Sequence, residues 1–182
     1  MKIKIRTLLK NLTVAFIVLS LGFAVWFLVQ ESPKDIQEFD DARDMKQVLA
    51  IFGRDRYWLL GDAESSPDFI LRYRSPSDTR YLGKLKIKVL WEKNAFVGFV
   101  AYYMKNQTLG QLLFLDINPE FRGKGFSEKL VQHALQELKK LGAEEICMWT
   151  RVDNARARAL YKRIGFAEQF EDDGFIFLTI PV

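Results

Sequence analysis

The sequence predicts a mixed α/β sheet with helices on both faces, preceded by one N-terminal transmembrane helix. Three observations carry this. Strand patterns dominate the first half of the chain beyond residue 34, and strands alternate with helices in the second half. Lys84, Lys86 and Lys88 alternate with Leu85, Ile87 and Val89, a clean period of two with one wet face expected. Residues Leu12 to Val29 carry no charge at all.

The elements follow in order. Residues 1–11 form a basic tail in which Lys2, Lys4, Arg6 and Lys10 are unopposed by any acid. Residues 12–29 follow as the anchor, broken in apolar character only by Thr13, Ser20 and Gly22. As a helix they reach roughly 27 Å, close to the hydrocarbon thickness of a bilayer. Trp26 and Phe27 lie near the far end, where an aromatic belt sits. A cleaved signal peptide and a buried core helix are the alternatives. The first wants a shorter apolar core ahead of its small-residue cleavage site, whereas Val25 to Val29 continue past Gly22-Phe23-Ala24. The second has no need to be apolar on every side.

Residues 30–34 are a linker, and residues 35–182 are the folded domain. Asp35 to Phe39 reads as a strand. Asp40 or Asp41 caps a helix through about Phe52, with Gly53 as its stop. The stretch from Arg54 to Arg80 is less legible, with a helix start at Ser66-Pro67-Asp68. Strands are then expected to about Val89, over Phe96 to Met104, and over Leu109 to Ile117, the last nearly all apolar and therefore central. A helix covers about Phe126 to Leu141, a strand Glu145 to Arg151, and a helix about Asn154 to Ile164. Two final strands lie around Ala167 to Phe170 and Phe175 to Ile180.

Composition narrows the function. The chain has 182 residues and 27 basic side chains, four of them in the first ten positions; the other 23 match its 23 acidic ones. The domain is formally neutral, so no nucleic-acid partner is expected. One cysteine, Cys147, and one histidine, His133, leave no material for an intrachain disulfide or a Cys/His zinc site. His133 sits among polar neighbours in its helix and is expected at the surface. Cys147 is expected in the core.

The chemistry concentrates in Leu113-Phe-Leu-Asp-Ile-Asn-Pro-Glu-Phe-Arg-Gly-Lys-Gly-Phe-Ser127. A hydrophobic strand ends at Asn118-Pro119, and a turn carrying Arg122, Gly123, Lys124 and Gly125 opens into an amphipathic helix. Successive N–H groups in such a turn, with the helix N-terminus behind them, make a concave donor set for an anion. Neither a P-loop ending nor a Gly-x-Gly-x-x-Gly pattern is present. A plain tight turn is the structural alternative.

These residues resemble the acetyl-CoA signature of the GNAT superfamily of N-acetyltransferases, Arg/Gln-x-x-Gly-x-Gly/Ala. Here it stands as Arg122-x-x-Gly125-x-Ser127 after Ile117-Asn118-Pro119, with Ser127 in place of the usual Gly or Ala. A second match runs from Asp153-Asn154 through Leu160-Tyr161 to Ile164-Gly165-Phe166, similar to the family's Asn-x-x-Ala-x-x-Leu-Tyr-x-x-x-Gly-Phe segment. The resemblance covers about Asp35 to Val182 and implies a GNAT-like, mostly antiparallel sheet. It also implies acetyl-CoA as acyl donor, an amine acceptor, and direct attack in a ternary complex.

By the same resemblance, backbone amides of Arg122, Gly123, Lys124, Gly125, Phe126 and Ser127 hold the pyrophosphate. Those around Ile117 hold the pantetheine arm and the acetyl carbonyl. Asn154 helps position the cofactor, and Tyr161 protonates the departing thiolate; a core tyrosine is the plainer reading. For the general base the residues leave choices open. Some relatives carry a glutamate early in the central strand where this chain has Gln111. Asp116, out of phase with Leu115 and Ile117, is the nearest acid, and Glu92 or a water relay are the others. Gln111 also motivates an alternative, a membrane-anchored acyl-CoA-binding module without turnover. An acyl donor other than acetyl is a third possibility. The basic N-terminus biases the domain outward, yet acetyl-CoA is cytosolic; donor supply places the domain on the cytosolic side of a single-pass anchor.

Overall fold

In the computed structural model, which describes residues 36–60 and 84–182, seven strands make one sheet. They are β1 (Ile36–Glu38), β2 (Lys86–Glu92), β3 (Ala95–Met104), β4 (Leu109–Ile117), β5 (Glu145–Arg151), β6 (Ala167–Asp172) and β7 (Phe175–Pro181). Across the sheet the order is β1-β2-β3-β4-β5-β7-β6. The helices are α1 (Asp41–Arg54), α2 (Arg56–Leu60), α3 (Phe126–Lys140) and α4 (Ala155–Ile164). Every neighbouring pair is antiparallel except β4 with β5. A parallel pair needs a long crossover, and α3 supplies it.

That one parallel pair is incomplete. Leu109, Gly110 and Gln111 face Glu145, Ile146 and Cys147, and beyond them the two strands make no further pairs. On the other side of β4, Ala101 faces Phe114 while Tyr102 faces Leu112, so Leu113 is an extra residue in a bulge. A bulge bends and twists its strand. The sheet is therefore split between the second halves of β4 and β5.

Each face of the sheet has its own core. Leu130 and Leu138 of α3 and Leu160 of α4 pack with Val100, Leu112, Ile146 and Leu178. Val48, Ile51 and Phe52 of α1 pack on the opposite face with Val89, Phe99 and Phe114. Gly98 of β3 is needed for this close fit: a Cβ there would lie 2.3 Å from the Asp116 carbonyl oxygen.

Several expectations need correction. α1 runs through Gly53 to Arg54, since its C-terminal amide, Asp55 N–H, still finds the Ile51 carbonyl. β2 starts at Lys86 rather than Lys84, and its lysine face is not wet. Lys88 keeps only 12% of its side-chain exposure and pairs with Glu38, because α3 lies over that face. His133 is not at the surface either; it is 7% exposed, and neither ring nitrogen has a hydrogen-bond partner among the described residues. It follows Leu130 by three positions on α3, and the helix lies flat enough on the sheet to bury both. The first strand is shorter than expected, and both final strands run slightly longer.

Burial, then the charge of Lys88, depresses the His133 pKa. A histidine buried neutral binds its proton more readily in the unfolded chain. Its contribution to stability is therefore present above pH 6.5 and lost as pH falls from there through the depressed folded value. His133→Leu is expected to flatten the loss of melting temperature between pH 7 and pH 5, measured by thermal unfolding at each pH. An unchanged slope would refute the assignment.

No helix among the described residues is long and apolar enough to cross a membrane. The tail 1–11, the apolar stretch 12–29, the linker 30–34 and the helix start at Ser66-Pro67-Asp68 lie outside the described residues.

Candidate functional site

The split between β4 and β5 opens on a strand-to-helix turn built residue by residue. Asn118 ends β4 by donating its backbone N–H to the Val97 carbonyl at 2.8 Å and its side-chain amide to the Phe96 carbonyl at 2.7 Å. Pro119 then opens a single 3-10 turn over Pro119–Phe121, and Arg122 N–H closes it on the Pro119 carbonyl. Gly123 and Gly125 follow with φ of +76° and +83°, the left-handed region that side chains avoid. The first helical bond of α3 runs from Lys129 N–H to the Gly125 carbonyl. Between these two bonds the amides of residues 123–128 have no backbone acceptor among the described residues, and Gly125 has no side chain with which to cap them. Six consecutive free donors at the positive end of a 15-residue helix form an anion site. Open space surrounds the positions where a Cβ on Gly123 or Gly125 would project.

Arg122 does something different from what its motif position suggests. Its backbone N–H is already used, and its guanidinium turns away from the turn. Nε donates to the Ile117 carbonyl at 2.8 Å, while one Nη2 reaches Asp55 Oδ2 at 2.7 Å and Asp116 Oδ1 at 3.3 Å. The arginine thus bridges two carboxylates, one from the end of α1 and one from β4. Lys124 places its ammonium 5.1 Å from the Phe121 ring centre.

The two acids are not equivalent. Asp55 accepts from Arg54 at 3.0 and 2.9 Å as well as from Arg122; burial works to raise its pKa, but the two arginines outweigh it and hold the carboxyl below its usual range. Asp116 is 6% exposed. Its Oδ1 accepts from Ile117 N–H at 2.7 Å, and its Oδ2 is buried with no partner. Burial first, then the charge of Asp55, pushes Asp116 up to about 7 against the opposing pull of Ile117 N–H and Arg122. The Ile117 amide, expected to face the thioester, is thus occupied while Oδ1 holds it.

Asp116 stands directly opposite Phe99 in the ladder, so it lies on the α1 face, while Ile117 belongs to the core under α3 and α4. Tyr161 is also part of that second core. Burial, and then the charge of Asp116, lift its pKa well above 10. Asn154 caps α4, its Oδ1 accepting from Ala157 N–H at 3.1 Å. A cavity of about 330 Å³ unites these groups: Asp55, Asp116, Ile117, Arg122, Gly123, Ser127, Asn154 and Tyr161 all line it. Lys124, Gly125 and Phe126 adjoin it along the turn without lining it. Because β4 and β5 have parted here, the cavity joins the two faces of the sheet. The free amides and Tyr161 are on one face, and the paired acids are on the other.

Gln111 is placed apart. It lies where β4 and β5 are still zipped, opposite Cys147, and accepts from the Tyr103 hydroxyl at 2.7 Å. Glu92 does not line the cavity.

These residues sit within a recognisable sequence family. Residues 45–166 match the family model described as acetyltransferase (GNAT) family. The chain belongs to the GNAT family. Acetyl-CoA is bound in one of the structures of similar fold, a GNAT family acetyltransferase from Elizabethkingia anophelis (TM-score 0.60, 14% identity, covering 81% of this chain and 97% of that one). The ribosomal-protein-S18-alanine N-acetyltransferase of Escherichia coli shares the fold at a TM-score of 0.61 and 20% identity, over 81% of this chain and 92% of its own. Among curated relatives, N-alpha-acetyltransferase 30 of Schizosaccharomyces pombe is 44% identical over 57 residues, 31% of this chain. The GNAT chain spans only 38% of that relative's length, so the likeness is local.

Three contributors escaped the sequence reading. Asp55 lies in the Arg54-Asp55-Arg56 run just past an expected helix stop, and no local pattern in the sequence singles out Trp58 or Trp149. Tyr57 pins the short helix α2 across the cavity mouth, its hydroxyl donating to Asp153 at 2.8 Å with the Arg151 guanidinium 4.0 Å from its ring. Only the bare aromatic content of Tyr57-Trp58 hinted at this.

Proposed function

We propose that this GNAT domain is an N-acetyltransferase that moves an acetyl group from acetyl-CoA to an amine by direct attack, with both bound at once. The observation that carries the reading is the row of unpartnered amides at residues 123–128, set at one end of a cavity whose other end holds an acid poised near neutrality. Amides of Gly123 to Ser127 would hold the diphosphate, and Asn154, capping α4 beside it, would orient the pantetheine arm. Arg122 serves by fixing the two acids, not by touching phosphate. Acetyl-CoA supplies an activated thioester.

Amines are mostly protonated at neutral pH and cannot attack until a proton is removed. Asp116, with a pKa near 7, is matched to that task, and its carboxyl group, which lines the cavity, receives the proton. Asp55, kept ionised by Arg54 and Arg122, helps to hold Asp116 at this value. The amine nitrogen then bonds to the carbonyl carbon, the carbon–sulfur bond breaks, and the sulfur takes a proton from the Tyr161 hydroxyl. The second proton on nitrogen, acidic once the amide forms, returns Tyr161 to the phenol by way of water, and Asp116 gives its own proton to solvent. A phenol whose pKa is raised stays protonated at neutral pH, so its proton is in place as the carbon–sulfur bond breaks. Asp116 supplies the acid that Gln111 does not, which favours turnover over a binding module.

The test is thiol release from acetyl-CoA across a panel of amines, beside calorimetric titration with CoA. Tyr161→Phe is expected to lower kcat by about 10²-fold or more with KM for acetyl-CoA unchanged. Binding of CoA without thiol release from any amine would turn the reading back to the binding module. No affinity for CoA at all would remove it. For the apolar 12–29 stretch we propose a membrane anchor with the domain on the cytosolic side, to be tested by protease access to the C-terminus in intact vesicles.

A further inference from the structure

Resting on the acetyltransferase reading, the geometry points to an acceptor amine that carries an aromatic ring close to its nitrogen. On the α1 face of the sheet, Trp149 of β5 lies directly opposite Phe177 of β7, and Phe177 directly opposite Phe170 of β6. Directly paired residues project to the same side, so three adjacent strands gather three aromatic rings into one cluster. Their ring centres are 4.8 Å apart for Trp149 and Phe177, 5.1 Å for Phe170 and Phe177, and 5.5 Å for Trp149 and Phe170. The outer member, Phe170, is 54% exposed.

One member of this cluster belongs to the cavity. Trp149 lines it, as does Trp58 from α2, itself 38% exposed. Asp116 lies on the same face, carried by β4 on the other side of the split. Asp116, Trp58 and Trp149 line the same cavity, so an ammonium bound at the Asp116 carboxyl has these two indole rings among the surfaces open to its substituent. An aromatic ring there would stack or meet edge to face with surfaces already offered. Arg156 on the cavity wall opposes a second positive charge on the acceptor. Polyamines are disfavoured for that reason, and short alkylamines leave the indole rings unused.

Binding to the 182-residue chain saturated with CoA separates these cases, because it needs no turnover. 2-Phenylethylamine is expected to bind about ten- to a hundredfold more tightly than propylamine, the range that burial of one ring provides, and more tightly than spermidine. Trp149→Ala should close the gap, whereas Trp149→Phe should keep most of it and show that the fold is intact. Peptides beginning with Phe and with Gly, run in parallel, tell whether the ring is best offered as a free arylalkylamine or as an N-terminal residue. A preference in either arm supports the inference. Equal affinities for ring-bearing and alkyl amines, no binding of either, or a preference untouched by Trp149→Ala would overturn it. Thiol release measured on the same amines reports separately on the acetyltransferase reading.

Discussion

Replacing Asp116 with asparagine is expected to lower kcat by about 10²- to 10⁴-fold, the usual contribution of a positioned general base. The variant should bind CoA normally, since the Asp116 side chain accepts from Ile117 N–H and Arg122 and from none of the free amides of residues 123–128. In the parent, kcat/KM should rise with pH through an inflection near 7, set by burial of Asp116 beside the charge of Asp55. That inflection should vanish in the variant. Stability moves the other way. A carboxyl whose folded pKa is raised from 3.8 to about 7 favours the fold while protonated. This contribution is present in full below the unfolded pKa and is lost as pH rises through about 7. Asp116→Asn, neutral at every pH, should thus melt higher than the parent at pH 8, with the difference shrinking toward pH 5. A variant that keeps the parental rate and pH profile would remove Asp116 from the reaction.

Gly125→Val is expected to abolish measurable CoA binding, a loss of at least about a hundredfold. A left-handed φ of +83° costs an L-residue roughly 1–2 kcal/mol, more with a β-branched side chain, so melting temperature will fall as well. Gly174 makes the matched control, with φ of +76° and open space where its Cβ would project, at the hairpin between β6 and β7. Gly174→Val should show a comparable drop in melting temperature with CoA affinity retained. Equal CoA affinity in the two variants would mean that the turn after Arg122 does not hold the diphosphate.

Local rules made much of the donor side readable. The strand ending at Asn118-Pro119, the two glycines and the amphipathic helix behind them are contiguous in sequence, and turn chemistry is decided within a few residues. Asn154 as a helix cap and Tyr161 about two turns further on follow from the same short-range logic. The acid side was not readable in this way. Asp55 meets Arg122 across 67 positions, and nothing near Asp55 marks it as the partner of a strand-end carboxyl. His133 looked polar by its neighbours, yet its burial depends on how flat α3 lies on the sheet.

By itself, the order of apolar, polar and glycine residues determined the strands, the helices and the row of unpaired amides, because hydrogen-bonding and periodicity act along the chain. Tertiary structure alone decided that β4 and β5 part after three paired residues, that the Arg122 guanidinium meets both Asp55 and Asp116, and that the rings of Trp149, Phe170 and Phe177 cluster. Those outcomes depend on which side chains share a desolvated space, and charge, proton affinity and ring contact are properties of that space rather than of any segment.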